Sequence, residues 1–385
     1  MFSNRLFLPL LAVLSIFSNQ SMAVFPVIIP DPVALNTNAV GDSGDDHVPR
    51  LATDRIGHWI AVWESTDSLG GAIGADSDIL FARSTDNGAS WTAPAPLNSN
   101  AGSDTGFDGV PVITTDGQGN WIAAWKSTEN LGGSIGTDQD ILFSRSINNG
   151  ESWSLPAPLN GNAAIDVGFD DSVEVAADDQ GHFVAVWRSQ VTTAGSGSDG
   201  DIFVAVSMDG GMTWTSPAFL NTTGVTDTGG DDSPHIATDR QGNWLAAWTS
   251  NDTFGGTIGT DSDILCARSS DNGMTWTDPT PINTTAPTDT GDDFGPRIAT
   301  DGQGAWLVVW ESNENLNGQT GTDRDILFAR SDDNGETWAD PAPVNNNATT
   351  DPGVDELPSI TSDGHGNWMA SWDGNNTADG MISTE

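Results

Sequence analysis

Hydrophobic and polar positions alternate over short segments of the chain, and the pattern returns about every 62 residues. In the fifth copy the candidate strands are P-R-I-A-T (296–300), A-W-L-V-V-W (305–310), D-I-L-F-A-R-S (325–331) and the stretch near W-A-D-P-A-P-V (338–344). Alternating or apolar runs of this length, separated by Gly, Asp and Asn, predict β-strands. No stretch keeps a helical period, so the pattern predicts an all-β protein with four short strands per repeat.

Tryptophan marks each repeat at two places, and all 16 tryptophans fall there. One place ends an eight-residue box, at Trp91, Trp153, Trp214, Trp276 and Trp338, which are 61 or 62 residues apart. The other is the phrase W-I-A-V-W at 59–63, which recurs at 121–125, 183–187, 244–248, 306–310 and 368–372. Six copies of four strands on an aromatic framework predict a six-bladed β-propeller with four-stranded antiparallel blades.

The two ends of the chain carry complementary parts of a repeat. The segment V-A-L-N-T-N-A-V-G-D (33–42) aligns with 95–104, the tail of a repeat, whereas the last repeat reaches Glu385 without a box. We therefore expect the N-terminal segment around 24–36 to supply the outer strand of the last blade, leaving no unpaired seam. The alternative is an open array of six units. With closure, residues 24–385 form a single propeller domain.

The first 23 residues have the features of a secretory signal peptide. Arg5 gives a short basic start, 6–17 is an apolar run, and Ser21-Met22-Ala23 is a small-x-small cleavage site. The alternative is an N-terminal membrane anchor, but the run is short for a bilayer span. We therefore expect a secreted or periplasmic protein with no membrane span.

The charge of the chain excludes some classes of partner. The formal net charge is -42, which disfavours nucleic acid and anionic membranes. Asp supplies 45 of the 54 acidic residues, and an excess of Asp over Glu is typical of turns and of oxygen-ligand sites. The only cysteine, Cys266, replaces the Phe of a recurring strand, so we expect a buried core thiol and no intramolecular disulfide.

The box S-T-D-N-G-A-S-W (84–91) is either a catalytic site in five copies or a structural turn. Gly88 suits the positive φ of a tight turn, and the Asp86 carboxylate can accept backbone N–H bonds. The second box carries Asn148 in place of the Asp, which preserves the acceptor and removes the charge. The pattern therefore favours a turn. The D-x-x-G series before the second strand (Asp54, Asp116, Asp178, Asp239, Asp301, Asp363) is interpreted as hairpin turns.

The box resembles the Asp-box, or BNR repeat, of the sialidase superfamily, over five boxes and about 340 residues. The resemblance implies a six-bladed propeller with the box between the third and fourth strands. It also implies an arginine triad for a substrate carboxylate, a Tyr nucleophile activated by Glu, and an Asp acid/base. The family motif F-R-I-P resembles P-R-L at 49–51 and P-R-I at 296–298, and Arg50, Arg188 and Arg297 of alternate blades would approximate the triad. The chain departs from the family because it contains no Tyr.

Two acidic loops are expected on one face of the propeller, opposite the boxes. The loop before the first strand carries D-x-G-x-D, and the loop between the second and third strands carries D-x-D. Their members are Asp42/Asp46, Asp104/Asp108, Asp166/Asp170, Asp227/Asp231, Asp289/Asp293 and Asp351/Asp355, together with Asp76/Asp78, Asp138/Asp140, Asp199/Asp201, Asp261/Asp263, Asp323/Asp325 and the single Asp379. Dense carboxylates with intervening Gly suit Ca²⁺, so we expect up to five or six calcium sites and no organic cofactor. The alternative is that these residues cap solvated turns without metal.

Positions where the repeats disagree are candidates for ligand binding. One position opens the innermost strand (Arg50, Val112, Glu174, His235, Arg297, Ser359) and one ends the second strand (Glu64, Lys126, Arg188, Thr249, Glu311, Asp373). Both sets are expected on or near the rim of the central depression. The candidate ligand-binding residues are Arg50, Lys126, Glu174, Arg188, His235 and Arg297, and the alternative is a solvated tunnel wall.

Two functions remain open from the sequence. The first is a non-catalytic, monomeric, exported propeller that binds a carbohydrate, another polymer or an extracellular protein. The second is a divergent glycoside hydrolase of the sialidase superfamily, for which Arg50, Arg188, Arg297, Glu174 and His235 are the catalytic candidates. A hydrolase needs two carboxylates beside the bond, such as Glu174 with Glu64 or Glu311. The missing Tyr favours the binding protein.

Overall fold

The structure is a computed structural model that describes residues 14–16, 34–38, 41–42, 44–190, 199–222, 224, 229–321, 323–345, 347–350 and 352–375. These residues form six antiparallel sheets, of which five have four strands and one has three. Within the described ranges there is no α-helix, and one 3-10 turn covers Leu316–Gly318. The all-β prediction and the four-strand repeat are therefore confirmed.

The strands are numbered in chain order and grouped by sheet. Sheet 1 contains β2 (Asp46–Thr53), β3 (Trp59–Ser65), β4 (Asp78–Ser84) and β5 (Ala95–Pro96). Sheet 2 contains β6 (Asp108–Thr115), β7 (Trp121–Ser127), β8 (Asp140–Ser146) and β9 (Ala157–Pro158). Sheet 3 contains β10 (Asp170–Ala177), β11 (Phe183–Ser189), β12 (Asp201–Ser207) and β13 (Ala218–Phe219). Sheet 4 contains β14 (Asp231–Thr238), β15 (Trp244–Ser250), β16 (Asp263–Ser269) and β17 (Thr280–Pro281). Sheet 5 contains β18 (Asp293–Thr300), β19 (Trp306–Ser312), β20 (Asp325–Ser331) and β21 (Ala342–Pro343), and sheet 6 contains β1 (Leu14–Ile16), β22 (Asp355–Ser362) and β23 (Trp368–Gly374).

The outer strand of each four-stranded sheet is shorter than the sequence pattern predicts. In sheet 5 the expected strand near 338–344 is reduced to Ala342–Pro343, which pairs with Phe328 and Leu327. Pro341 and Pro343 have no N–H to donate, so a longer ladder cannot form on this edge.

The inner strand of each sheet is longer than predicted because it contains a β-bulge. In sheet 5 it begins at Asp293 instead of Pro296, and its register shifts between Phe294 and Arg297. The bulge residue has φ between 48° and 58° in all six sheets, at Val48, Val110, Ser172, Ser233, Gly295 and Leu357. A bulge of this kind leaves a backbone N–H outside the ladder, which needs another acceptor.

Side chains of the preceding sheet supply that acceptor at three junctions. Glu64 Oε2 accepts from Val110 N–H at 3.2 Å, and Thr249 Oγ1 accepts from Gly295 N–H at 3.1 Å. Glu311 Oε1 accepts from Leu357 N–H at 2.7 Å. Glu64, Thr249 and Glu311, which occupy a position that differs among the repeats, therefore have a structural role. Each joins the second strand of one sheet to the inner strand of the next sheet.

The core lies between neighbouring sheets. Trp187 of sheet 3 packs in one cluster with Val112 and Ile122 of sheet 2, and the inner strands of successive sheets contact one another. Box tryptophans add edge-to-face contacts across the same junctions, as between Phe81 and Trp153, whose ring centroids are 5.9 Å apart. Cys266 is buried as predicted, and burial raises the pKa of its thiol to about 11.

An N-terminal segment joins the last sheet at a place that sequence analysis did not predict. Leu14–Ile16 pairs with Trp368 to Ala370 of β23, on the edge away from β22, where other sheets have their third strand. This short apolar segment covers an edge that would otherwise be unpaired. Most of the segment expected to form the outer strand, 24–33, lies outside the described residues. The signal peptide at 1–23 stays a prediction, and cleavage there would remove β1.

The alignment of the N-terminal tail with the tails of the other repeats is confirmed by one contact. Asn36 Nδ2 donates to Asp46 Oδ2 at 2.6 Å, as Asn98 Nδ2 donates to Asp108 Oδ2 at 2.8 Å. The tail at 34–38 therefore meets sheet 1 as the tail of sheet 1 meets sheet 2.

Candidate functional site

The boxes lie at the turn between the third and fourth strands, and their side chains hold that turn. Asp86 Oδ1 accepts from Ser84 Oγ and from Ser90 N–H, both at 2.8 Å, and Asp86 Oδ2 accepts from Ser90 Oγ at 2.6 Å. These bonds, chiefly those from Ser90, lower the pKa of Asp86 to about 2. Gly88 has φ of 80°. The structural interpretation of the box is therefore supported by every group that sequence analysis named.

We predict that Asp86→Asn changes the melting temperature by less than roughly 2 °C, whereas Asp86→Ala lowers it by more. The reason is the natural Asn148, whose Oδ1 accepts from Ser146 Oγ at 2.9 Å and from Ser152 N–H at 3.0 Å. Thermal unfolding of both variants checks this. Equal losses for Asn and Ala would show that the charge of Asp86 is needed.

The two acidic loops meet on the face opposite the boxes, which we call the upper face. Ser77, in the second-to-third-strand loop of sheet 1, donates through Oγ to the carbonyl of Asp108, at the start of sheet 2, at 2.9 Å. Asp108 N–H donates back to the Ser77 carbonyl at 2.9 Å. Each acidic group therefore straddles two adjacent sheets.

An asparagine that sequence analysis did not single out bridges the two loops. Asn160 is buried, and its Nδ2 donates to Asp140 Oδ1 at 2.7 Å and to Asp170 Oδ2 at 2.5 Å, while Ile141 N–H donates to Asn160 Oδ1. The same position is occupied by Asn36, Asn98, Asn221, Asn283 and Asn345. The recurrent Asn after Leu, Ile or Val was the available signal, but it aligned the repeats without indicating a role.

Three carboxylates converge at each of three junctions. Their ligand atoms lie within 4.8 Å of one another in the groups Asp76/Asp78/Asp104, Asp138/Asp140/Asp166 and Asp261/Asp263/Asp289. In the first group Asp78 is buried, and within the described part of the chain Asp76 Oδ2, Asp78 Oδ2 and Asp104 Oδ1 are buried without a hydrogen-bond partner. The second and third groups repeat these three unpaired oxygens.

Burial governs the protonation of these groups. Desolvation, with a smaller contribution from the neighbouring carboxylates, raises the pKa of Asp78, Asp140 and Asp263 to about 7. Desolvation likewise raises the pKa of Asp104 to about 6. Without a counter-charge, each group therefore holds protons near neutral pH.

The other predicted metal-ligand residues are placed as follows. Asp108, Asp170, Asp231, Asp293 and Asp355 begin inner strands and, like Asp201 and Asp325, are buried. Asp199 and Asp323 are described, but Asp227 and Asp351, which would complete their groups, lie outside the described residues. Asp379, which would complete the group of Asp42 and Asp46, also lies outside them.

Four of the candidate ligand-binding residues form a central cluster, comprising Arg50, Glu174, His235 and Arg297. Each pairs with the fourth residue of its second strand, opposite Val62, Val186, Ala247 and Val309. They therefore lie halfway along the inner strands instead of at the rim, because the bulge adds residues above them. The cluster brings together sheets 1, 3, 4 and 5.

The charges of the central cluster act on one another. Burial raises the pKa of Glu174, and Arg297 and Arg50 oppose that rise. Burial, reinforced by the same two arginines, lowers the pKa of His235 to about 3, so the imidazole is neutral at pH 7. His235 Nδ1 accepts from Ile298 N–H at 3.2 Å, which makes this residue part of the wall between sheets 4 and 5.

Neither central arginine is neutralised by contact. Arg50 Nη1 donates to the Pro49 carbonyl at 3.4 Å, and Arg297 Nη1 donates to the Pro296 carbonyl at 3.0 Å. No carboxylate of the described residues lies within ion-pair distance of either guanidinium. Burial lowers the pKa of Arg297, and Glu174 opposes that change.

The remaining two candidates are at the upper face, so the triad that the resemblance implied does not assemble. Arg188 is the last residue but one of β11, with Nη1 3.4 Å from Asp171 Oδ2. Lys126 is the last residue but one of β7, with Nζ 5.7 Å from the ring centroid of Phe107. Of the three arginines proposed for the triad, only Arg50 and Arg297 belong to the central cluster.

The D-x-x-G series forms hairpin turns as predicted. Asp54 Oδ1 accepts from Ile56 N–H and His58 N–H, at 2.9 and 3.0 Å.

Nowhere in the described ranges is there a helix long and apolar enough to cross a bilayer.

Comparison with known proteins identifies similar folds at low sequence identity. No protein-family model and no curated protein matches the sequence. A protein of unknown function from Dyadobacter fermentans superposes with a TM-score of 0.53 at 13% identity, covering 86% of this chain and 95% of that one. The leech intramolecular trans-sialidase in complex with 2,7-anhydro-Neu5Ac superposes with a TM-score of 0.51 at 14% identity, covering 84% of this chain and 64% of that one.

A third similar structure is NanB with Optactamide, with a TM-score of 0.50, 11% identity, and coverage of 87% of this chain and 66% of that one. NanB is a sialidase of Streptococcus pneumoniae. The chain therefore spans slightly less than two thirds of the length of these two sialidases.

Proposed function

We propose, from the premise that the chain has the sialidase-type Asp-box β-propeller fold, that this protein is a calcium-stabilised, non-catalytic carbohydrate-binding protein. Its ligand carries an anionic group that Arg50 and Arg297 hold in the central cluster. The observation that supports the proposal is the electrostatic coupling of these two guanidiniums to each other and to Glu174, with no ion pair to either guanidinium among the described residues. Their electrostatic coupling from sheets 1 and 5 also supports closure of the six sheets into a ring.

A local positive charge in an acidic protein favours this assignment. The net charge of -42 repels anions from most of the surface, which leaves few places where one can bind. Two guanidiniums outnumber the single carboxylate of Glu174, whose pKa is raised by burial. A charge-assisted hydrogen bond from arginine contributes about 1.5–3 kcal/mol. The leech enzyme is bound to 2,7-anhydro-Neu5Ac, a sugar with a carboxylate, which supports the same ligand chemistry here.

Calcium is proposed at the junctions of the upper face. The buried oxygens without partners at Asp76, Asp78 and Asp104 are the observation that fits a cation, since carboxylates packed this closely need one. An all-oxygen donor set from flexible loops suits Ca²⁺ better than a transition metal. Gly74 leaves space beside this carboxylate group, because a Cβ there would lie 2.1 Å from Asp76 Oδ1.

We also propose that the protein acts outside the cytoplasm after loss of residues 1–23, as a monomer. Extracellular calcium modules bind with dissociation constants of about 10⁻⁴–10⁻³ M, so the Asp groups need not bind tightly to be occupied there. The partners proposed are a carbohydrate, another polymer or an extracellular protein.

A glycoside hydrolase is the second candidate, and the raised pKa of Glu174 is the observation that favours it, because a general acid needs that property. The two carboxylates considered as its partner are engaged elsewhere, however. Glu64 and Glu311 are committed to the bulges of the next sheets, and Glu311 also accepts from Arg324 Nη1 at 2.9 Å. With no Tyr in the chain, binding is the better proposal.

The test is a binding assay with carboxylate-bearing probes, 3′-sialyllactose and trigalacturonate. We expect Arg297→Ala to weaken binding by about 10- to 100-fold, corresponding to one or two lost charge-assisted bonds. Arg330→Ala is the control, because Arg330 is exposed and pairs only with its neighbour Asp332. Equal affinities for Arg297→Ala and Arg330→Ala would contradict the central site.

A turnover assay separates the two candidates. A binding protein shows no turnover of 4-methylumbelliferyl glycosides, including the sialoside. A hydrolase turns one over and loses that activity in Glu174→Gln.

A further inference from the structure

Arg188 does not have the structural role that three of its equivalents have in sheets 1, 4 and 5. Glu64, Thr249 and Glu311 accept the bulge N–H of the next sheet, but a guanidinium has no acceptor. The bulge N–H of Ser233 donates instead to Asp232 Oδ1, at 2.5 Å. The replacement of an acceptor by a cation is therefore compensated within sheet 4.

Gly200 makes room for Arg188. A Cβ at Gly200 would lie 2.4 Å from Arg188 Nε and 2.9 Å from the carbonyl oxygen of Asp231. The equivalent residues of the other four-stranded sheets are Ser77, Gln139, Ser262 and Arg324, all with side chains. The lack of a side chain at Gly200, just before β12, therefore leaves space for Arg188 at the upper face.

A cavity of about 270 Å³ opens on the upper face beside this arginine. Its lining includes Arg188, Asp232, Thr249, Asn251, Ser262 and Phe294. One wall is aromatic, and the others carry hydroxyl, amide, carboxylate and guanidinium groups. Arg324 lies 5.4 Å from the Phe294 ring centroid and helps to fix that ring.

We propose that this cavity binds an uncharged pyranose residue of a glycan. The C–H face of a pyranose stacks on an aromatic ring, and vicinal hydroxyls suit carboxylate, amide and guanidinium groups that are held in place. An anionic sugar is disfavoured, because Asp171 and Asp232 offset the charge of Arg188. The site is separate from the central cluster, to which Arg188 does not belong.

Calcium would control the cavity through Ser262. This residue lies between Asp261 and Asp263, two members of a carboxylate group, and its N–H donates to Asp292 Oδ1 at 3.0 Å. A cation that fixes Asp261 and Asp263 also fixes the Ser262 wall. This coupling rests on the proposed calcium sites, whereas the cavity itself does not.

Saturation-transfer NMR tests the site with three probes: the methyl pyranosides of β-glucose, β-galactose and α-mannose. In Ca²⁺ we expect transfer to at least one probe, reduced at least fivefold in Phe294→Ala and in Arg188→Ala. Phe107→Ala, which removes an exposed ring just before the first strand of sheet 2, is the control and keeps the signal. No transfer to any probe, or full transfer in Phe294→Ala, overturns the proposal.

The coupling is tested with the same probe below the melting temperature of the metal-free protein. Chelation and Asp261→Asn are each expected to reduce transfer at least threefold. Asp332→Asn, which changes an exposed carboxylate in the box that ends at Trp338, is expected to leave transfer unchanged. Unchanged transfer in Asp261→Asn overturns the calcium control and leaves the sugar site standing. Arg297→Ala should not alter transfer, so failure of the central site and failure of this one are distinguishable.

Discussion

Adding millimolar Ca²⁺ to the metal-free protein at pH 8 is expected to raise its melting temperature by on the order of 10 °C. The three described carboxylate groups each present three buried oxygens without partners, at the junctions between sheets. Ca²⁺ at ten times the dissociation constant of a site contributes about 1.4 kcal/mol, and three such sites act together. Because each group joins adjacent sheets, the ion stabilises the contact between them.

The effect of calcium should disappear on acidification, and its sign follows from the pKa shifts. Asp78, Asp140 and Asp263 have pKa values of about 7 in the metal-free fold, raised by burial from 3.8. Between those two values the folded metal-free protein binds more protons than the unfolded chain. Its stability therefore falls as the pH rises from about 4 to about 7. Calcium requires the deprotonated groups, so its stabilisation grows over the same interval.

Thermal unfolding at pH 5, 6.5 and 8, with Ca²⁺ and with chelator, measures this crossover. Matched ionic strength and a Mg²⁺ series are the controls, since Mg²⁺ demands a stricter geometry and retains its waters. A melting temperature that is the same with Ca²⁺ and with chelator at pH 8 would exclude calcium from these groups.

The repeat architecture was predictable because each unit carries its own local signals. Tryptophan spacing gave six units, and the turn chemistry of Asp86 and Gly88 located the box without knowledge of the fold. The meeting of the two acidic loops also followed from strand order alone, and the Ser77–Asp108 contacts confirm it. These features depend on sequence-local or repeated interactions, which a single chain displays many times.

Features that depend on contacts between units were not predictable. The bulge at Ser233 and its equivalents changes which residues lie deep in the centre, and no spacing in the sequence reveals the added residue. Arg188 was grouped with Arg50 and Arg297 by its position in alternate repeats. The structure separates it, because the bulge in each inner strand places Arg50 and Arg297 opposite a residue two positions earlier in the second strand than the one that Arg188 occupies.

Asn160→Leu is expected to destabilise the protein by about 3–5 kcal/mol. Asn160 Nδ2 is the hydrogen-bond donor shared by Asp140 and Asp170, and all three residues are fully buried. Leucine keeps the volume but leaves two carboxylates facing an apolar group, and it also removes the acceptor of Ile141 N–H. Burial already raises the pKa of Asp140 to about 7 and that of Asp170 well above its ordinary value.

Chemical denaturation at pH 8 and pH 5 tests this role. The loss should be smaller at pH 5, where protonated Asp140 and Asp170 can donate to each other in place of Asn160. Asn367→Ala is the matched control, since Asn367 makes a similar 2.6 Å bond to Asp363 at an exposed turn and should cost little. A loss in Asn160→Leu no greater than in Asn367→Ala, or one independent of pH, would mean that the carboxylates do not rely on this amide. The predicted pattern would instead show that the recurrent asparagine, like the tryptophans, joins neighbouring sheets.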